Sequence, residues 1–406
     1  MLDWIVITEW LEFALRWLHV VTAIAWIGSS FYFIALDLGL HRDRNLTSGA
    51  DGEEWQVHGG GFYHIQKYLV APENMPDGLV WFKWESYATW LTGFALLAVV
   101  YYMGAEFYLV DPTVLELEAW QAIAISVVSL AFGWGVYNTL CKVFVNANQT
   151  LLMVALFVVL VAMSYFYTSV FSGRAALLHL GAFTATIMSA NVFFIIIPNQ
   201  KIVVADLMGG RKPDPKYGKI AKQRSTHNNY LTLPVIFMML SNHYPLAFAI
   251  EYNWIIAALV FLMGVTIRHF FNTMHARQGM PWWTWGLTAG LFVAVMALSL
   301  APMWREPPEE LSAIETRFVQ ADGFEDAYDI VMGRCSMCHA QEPAWDGLRH
   351  APKGVVLETE AQMARHARAI YMQAGVTHAM PPANLSWMEP EERAQLVAWY
   401  RAALKG

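Results

Sequence analysis

Ala175-Ala-Leu-Leu-His-Leu-Gly-Ala-Phe-Thr-Ala-Thr-Ile-Met-Ser-Ala-Asn-Val-Phe-Phe-Ile-Ile-Ile-Pro198 holds no Asp, Glu, Lys or Arg, and Arg174 and Lys201 bracket it. About 20 apolar residues, rising 1.5 Å each as a helix, span a hydrocarbon core roughly 30 Å thick. Seven more runs read the same way: Trp17–Leu36, Ser86–Ala105, Ala119–Cys141, Thr150–Gly173, Asn229–Ile250, Tyr252–Met274 and Trp282–Met303. The expected fold is therefore all-α, with a bundle of eight transmembrane helices over 1–304. Composition agrees, since 56% of the 406 residues are hydrophobic and only 15% are charged, against about 25% charged in soluble domains. The net charge of −7 argues against a nucleic-acid partner; membrane lipid is the expected surroundings.

Lys and Arg alternate from one connection to the next. Arg42, Arg44, Lys67 and Lys83 follow the first run, Lys142 the third, seven basic residues from Lys201 to Arg224 the fifth, and Arg277 the seventh. The other connections offer only Arg174. Positive residues stay inside, so both termini are expected on the outer face of a bacterial inner membrane. No basic segment precedes the first run, which reads as an uncleaved helix.

Beyond Arg305 the chain turns acidic and mixed, giving a linker at 305–317 and a small domain at 318–406. Here stands Cys335-Ser-Met-Cys-His339, the attachment motif of c-type haem. Cys335 and Cys338 would bond the haem covalently, with His339 as an axial iron ligand. A thioredoxin-like pair needs a βαβ setting, and a zinc site needs further ligands. Met380, in His378-Ala-Met-Pro-Pro382, is the expected second axial ligand, and Pro381 stiffens its loop; His350 and His366 are the alternatives. Helices are expected over Phe324–Val331 and from Pro390, the latter with Leu396, Trp399, Tyr400, Ala403 and Leu404 on one face. The domain reads as an all-α, class I-like cytochrome c, placed in the periplasm by both the motif and the charge bias. Cys141, the third cysteine, reads as a small buried residue.

Ionisable residues at membrane depth are candidates for function. His19, His179 and His243 fall in the outer half and suit a non-covalent b-type haem; the plainer reading has each hydrogen-bonded to a neighbouring helix. A second group lies toward the cytoplasm: His58, Gly59–Gly61, His64, Glu85, His227, Arg268, His269 and His275. The glycines let backbone N–H groups approach a ligand; alternatively they form a plain turn, and Arg268 snorkels.

The stretches His19–Gly28, His58-Gly-Gly-Gly-Phe-Tyr-His64, Trp81–Glu85, His227-Asn-Asn-Tyr-Leu-Thr-Leu-Pro234, Ser241-Asn-His-Tyr244 and Arg268-His-Phe-Phe-Asn272 resemble the bacterial membrane-bound urate hydroxylases, urate oxidases fused to a C-terminal cytochrome c. The first helix also looks, more briefly, like b-haem-binding membrane proteins of haem biosynthesis. The main resemblance implies oxidation of urate at C5 to 5-hydroxyisourate. Water is the oxygen source, and electrons leave through the chain's own haem c to a soluble cytochrome c or a terminal oxidase. His58, His64, Glu85, Arg268 and His269 are then the expected groups around urate or a related purine. A haem held by His19, His179 and His243 would carry electrons across the membrane. The competing readings are a non-catalytic subunit passing electrons from quinol to cytochrome, and a haem-handling or transport protein.

Overall fold

A computed structural model describes residues 4–43, 45–68, 76, 78–144, 148–305 and 311–405. The chain divides into two compact units, Met1–Pro302 and Met303–Gly406. The linker expected at 305–317 lies partly outside the described residues, and helix already begins at Ala313.

The first unit is built on α1 (Trp4–Gly39), α2 (Trp84–Leu97), α3 (Ala119–Val143), α4 (Gln149–Thr168), α5 (Gly173–Ala190), α6 (Pro215–Ser241), α7 (Asn253–His275) and α8 (Trp283–Arg305). Six helices are long and apolar enough to cross a membrane: Val6–Gly39, Ala119–Val143, Gln149–Thr168, Gly173–Met208, Asn253–His275 and Trp283–Ala301. The other two expected spans depart from that pattern for local reasons. The α-helical part of α2 has 14 residues before it widens into a π-turn at Ala98–Tyr102. α6 is long, but its first turns carry Lys216, Lys219, Lys222 and Arg224.

α5 sits centrally, with Leu177, Leu180, Phe183 and Ile187 fully buried along one face. The Ser172 hydroxyl accepts from the Ala175 amide and starts it. It passes through a π-segment, Asn191–Ile196, and continues helically over Ile197–Met208. α6 begins earlier and ends earlier than the apolar run suggested. Asp214 caps it and Pro215 fills its first position, where a missing N–H costs nothing. It stops at Ser241 because Tyr244 precedes Pro245 and is extended, with φ −127° and ψ 94°.

Strands β1 (Ala50–His58) and β2 (Gly61–Tyr68) form an antiparallel hairpin, an element the sequence reading left as loop. Gly59 and Gly60, with φ of 58° and 80°, occupy its two-residue turn, and His58 pairs with Gly61. The glycines thus close a hairpin of the kind that needs positive φ at both positions. The hairpin is tied to the helices through Asp37, which pairs with Lys67 of β2 and, at 2.7 Å, with Lys222 of α6.

The second unit is all-helical among its described residues: α9 (Ala313–Val319), α10 (Phe324–Arg334), α11 (Ser336–His339), α12 (Glu360–Arg365) and α13 (Pro390–Lys405), with shorter turns between. Leu396, Trp399 and Ala403 point inward from α13, and the Trp399 indole donates to Phe318 O at 2.9 Å. Leu404, expected on that face, is exposed.

Candidate functional site

Neighbouring residues on a helix point about 100° apart, so α6 can address three helices with consecutive side chains. His227 Nδ1 shares a hydrogen bond with the Tyr137 hydroxyl of α3 at 2.8 Å. Asn228 accepts from Asn191 at 2.9 Å and donates to Met188 O. Asn229 accepts from Arg268 Nε at 3.2 Å and from Asn272 at 3.0 Å, both on α7. One turn earlier, Arg224 donates to Asn191 at 3.2 Å and Asn138 at 2.9 Å. Asn191 also donates to Tyr137, which closes the network. It is the first residue of the π-segment, a distortion often found at functional sites.

Two guanidiniums are buried here, and among the described residues their partners are amide oxygens and aromatic rings: Arg224 lies over Tyr137, and Arg268 lies 4.0 Å from the Phe31 ring centre. Arg224 Nε and Asn229 Nδ2 are buried with no protein partner. Buried charge without a counter-charge is expensive, so this interior is suited to an anion.

A cavity of about 1070 Å³ opens beside the network. His227, which is buried, and Tyr230 and the more exposed His269 line it, with Lys216, Lys219, Lys222 and Gln223 nearer the helix start. The Tyr230 hydroxyl lies 3.4 Å from His269 Nδ1. The cavity therefore joins two imidazoles to a lysine-rich mouth, where Lys216 pairs with Asp214 at 3.0 Å and Lys222 with Asp37.

The five residues expected around the substrate do not meet at one point. His269 faces this cavity, while Arg268 turns to Asn229, Asn272 and Phe31. His64 pairs with Glu53 at 2.7 Å and stacks on Trp55, and His58 is exposed beside the hairpin turn. Glu85 Oε2 is buried without a partner near the start of α2. The sequence reading passed over Arg224, Tyr137 and Asn191. Only the basic residue three before His227 is a local signal; the other two come from distant helices.

The outer histidines also separate. His19 and His243 line one cleft. His179 is fully buried elsewhere, with Nδ1 on Ala175 O at 2.8 Å and Nε2 on the Ser126 hydroxyl at 2.9 Å. That occupies both ring nitrogens, as the plainer reading held.

In the second unit, Cys338, His339 and Met380 line one cavity of about 350 Å³ with Trp345, Pro352 and Leu385. Cys335 precedes α11 directly. His339 Nδ1 donates to Val355 O at 2.8 Å, which leaves Nε2 as the ring's acceptor. Burial and the nearby Cys338 push the Cys335 thiol up to about 11. Buried Arg393 donates to Ala374 O, Met380 O and Asn384 Oδ1, holding the methionine loop. His350 and His366 are not among the residues that line this cavity. One thiol, an imidazole with a fixed tautomer and a thioether around one cavity, with the Cys335 thiol packed against the core just before α11, fit covalently attached haem.

Fold and site together describe a helical protein with several membrane-crossing candidates and a buried, cation-rich polar interior. Residues 5–299 match the family described as urate oxidase N-terminal, and the chain belongs to that family. Its activity is accordingly of the urate-related oxidoreductase class. No curated protein and no solved structure matches the chain.

Proposed function

We propose that this protein oxidises urate to 5-hydroxyisourate in the inner membrane. Urate and water give 5-hydroxyisourate, two protons and two electrons; water supplies the new oxygen and no peroxide forms. All eight long helices cross the membrane in this reading, with both termini and the second unit periplasmic. The observation that carries it is the His227–His269 cavity, backed by Arg224 and fringed by lysines, inside a chain of the urate oxidase N-terminal family.

Urate is an anion at neutral pH, and Lys216, Lys219 and Lys222 would raise its local concentration at the cavity. In the tautomer whose Nδ1–H donates to the Tyr137 oxygen, His227 Nε2 is the basic nitrogen left for the substrate. It takes one proton as water adds at C5, and His269 takes the other. Arg268 acts as a positioning residue: its bond to Asn229, braced by Asn272 of its own helix, fixes α7 against α6 and so places His269. Cys335 and Cys338 would hold haem c covalently, with His339 and Met380 as its axial ligands. When bound, haem c supplies a one-electron acceptor of raised potential. A soluble cytochrome c or a terminal oxidase is the onward partner.

Turnover in ¹⁸O-labelled water tests the reaction. Label in the 5-hydroxyisourate without peroxide is the expected result; label from O₂, or peroxide in step with product, would overturn it.

A further inference from the structure

The cleft shared by His19 and His243 has no part in the proposed urate chemistry. Its walls come from α1, α2, α5 and the end of α6 and are mostly apolar, with Val20, Trp26, Trp90, Phe94, Leu178 and Ala182 among them and Thr89, Thr186, Ser189 and Asn242 as polar exceptions. Its volume is about 240 Å³, a narrow slot. Such walls exclude a hydrated ion and suit a flat, apolar ligand.

His19 is prepared for a metal in two ways. Nδ1 lies 3.0 Å from Thr89 O, and a carbonyl only accepts, so Nδ1 carries the proton. The neutral ring then presents Nε2 as its lone-pair donor, and Nε2 has no hydrogen-bond partner among the described residues. A backbone carbonyl fixing the tautomer is the usual outer-shell arrangement of a metal-binding histidine. Gly93 makes room for the ring, since a Cβ there would stand 2.7 Å from His19 Cε1. Arg16, one turn before His19, lines the same cleft and pairs with Glu12; a carboxylate edge in the cleft would share or replace that partner.

We propose that this cleft binds a non-covalent b-type haem, with His19 Nε2 on the iron, His243 as the second axial ligand and Arg16 at the propionates. An apolar macrocycle, an iron needing imidazole and a carboxylate edge match the walls, the freed nitrogen and the guanidinium. His179, with both nitrogens engaged, is not a ligand.

Haem content tests this without reference to urate. Full-length protein purified from membranes should show two haems per chain by pyridine haemochrome, one of them removed by acid–acetone. His19→Ala and Gly93→Leu should each abolish the extractable haem while covalent haem c stays at one per chain, which reports folding. Imidazole added to His19→Gly should restore it. A single, wholly covalent haem, or extractable haem surviving both substitutions, would overturn the proposal. An unchanged low-spin b-haem spectrum in His243→Ala would overturn the second ligand alone.

Discussion

His339 and His179 make the same first bond, each through Nδ1 to a backbone carbonyl at 2.8 Å. They differ in what the other nitrogen meets. His339 lines a cavity with Met380, whereas His179 Nε2 is taken by Ser126. The contrast extends to the two units. The C-terminal unit secures its site through side chain-to-backbone bonds, from His339, Arg393 and Trp399. The membrane unit joins side chains from different helices, as in Tyr137–His227, Asn191–Asn228 and Arg268–Asn229. Backbone acceptors are present whatever the neighbouring residue is, so a short motif can specify the first kind of site. The second kind exists only when several helices agree.

The sharpest break of this comparison is in the motif. Cys335→Ala with Cys338→Ala should remove all covalent haem, read as complete loss of the c-type haemochrome signal, while urate still binds to the membrane unit. Next comes the interior. His227→Ala should lower kcat for urate roughly 100-fold or more, the usual scale for losing a general base, with haem c content unchanged. A loss confined to KM would make His227 a binding group instead.

The difference in legibility follows the same division. Cys335–His339, Met380 and the helix from Pro390 can be read locally because spacing and proline placement fix them. The apolar runs likewise locate the long helices. The hairpin was missed because its strands lack a clean alternation: Trp55, Val57, Phe62 and Tyr63 are all exposed. The end of α6 was misplaced because apolar residues continue past Ser241, and Pro245 acts through the residue before it. Arg268 and His269 stand out in the sequence as polar residues at the end of an apolar run, but adjacent positions on a helix point to different neighbours. Nothing local says which of the two meets His227's cavity.

Smaller effects refine the comparison. Replacing Lys216, Lys219 and Lys222 together by Gln should raise KM for urate several-fold. The effect should fade at high salt, because exposed charges act through a screened field; a salt-independent KM would remove them from the approach. In the C-terminal unit, burial alone would raise the Glu392 carboxyl, but hydrogen bonds from Arg334 and the Glu389 amide, with the Arg334 charge, hold it below the usual carboxylate range. A carboxylate lowered in the folded state stabilises above its unfolded pKa of about 4.3. That stability is lost as pH falls through the folded value. Amide protection factors in α10 and α13 of the full chain should therefore fall below about pH 4.3, and Glu392→Gln should flatten this acid-side change. The smallest effect is expected at Ser126→Ala. Interhelical hydrogen bonds in membranes average about 0.6 kcal/mol, so thermal stability should barely move and haem content not at all. Loss of haem there would return His179 to the ligand set.

The central claim is that electrons from urate reach this chain's own haem c. Anaerobic addition of limiting urate to the oxidised, purified protein, followed at the haem α-band, tests it most directly. The account predicts two reducing equivalents in the protein's haem per urate consumed, with 5-hydroxyisourate as the product. Haem that stays oxidised with urate but is reduced by quinol would contradict it and make the chain an electron-transfer subunit.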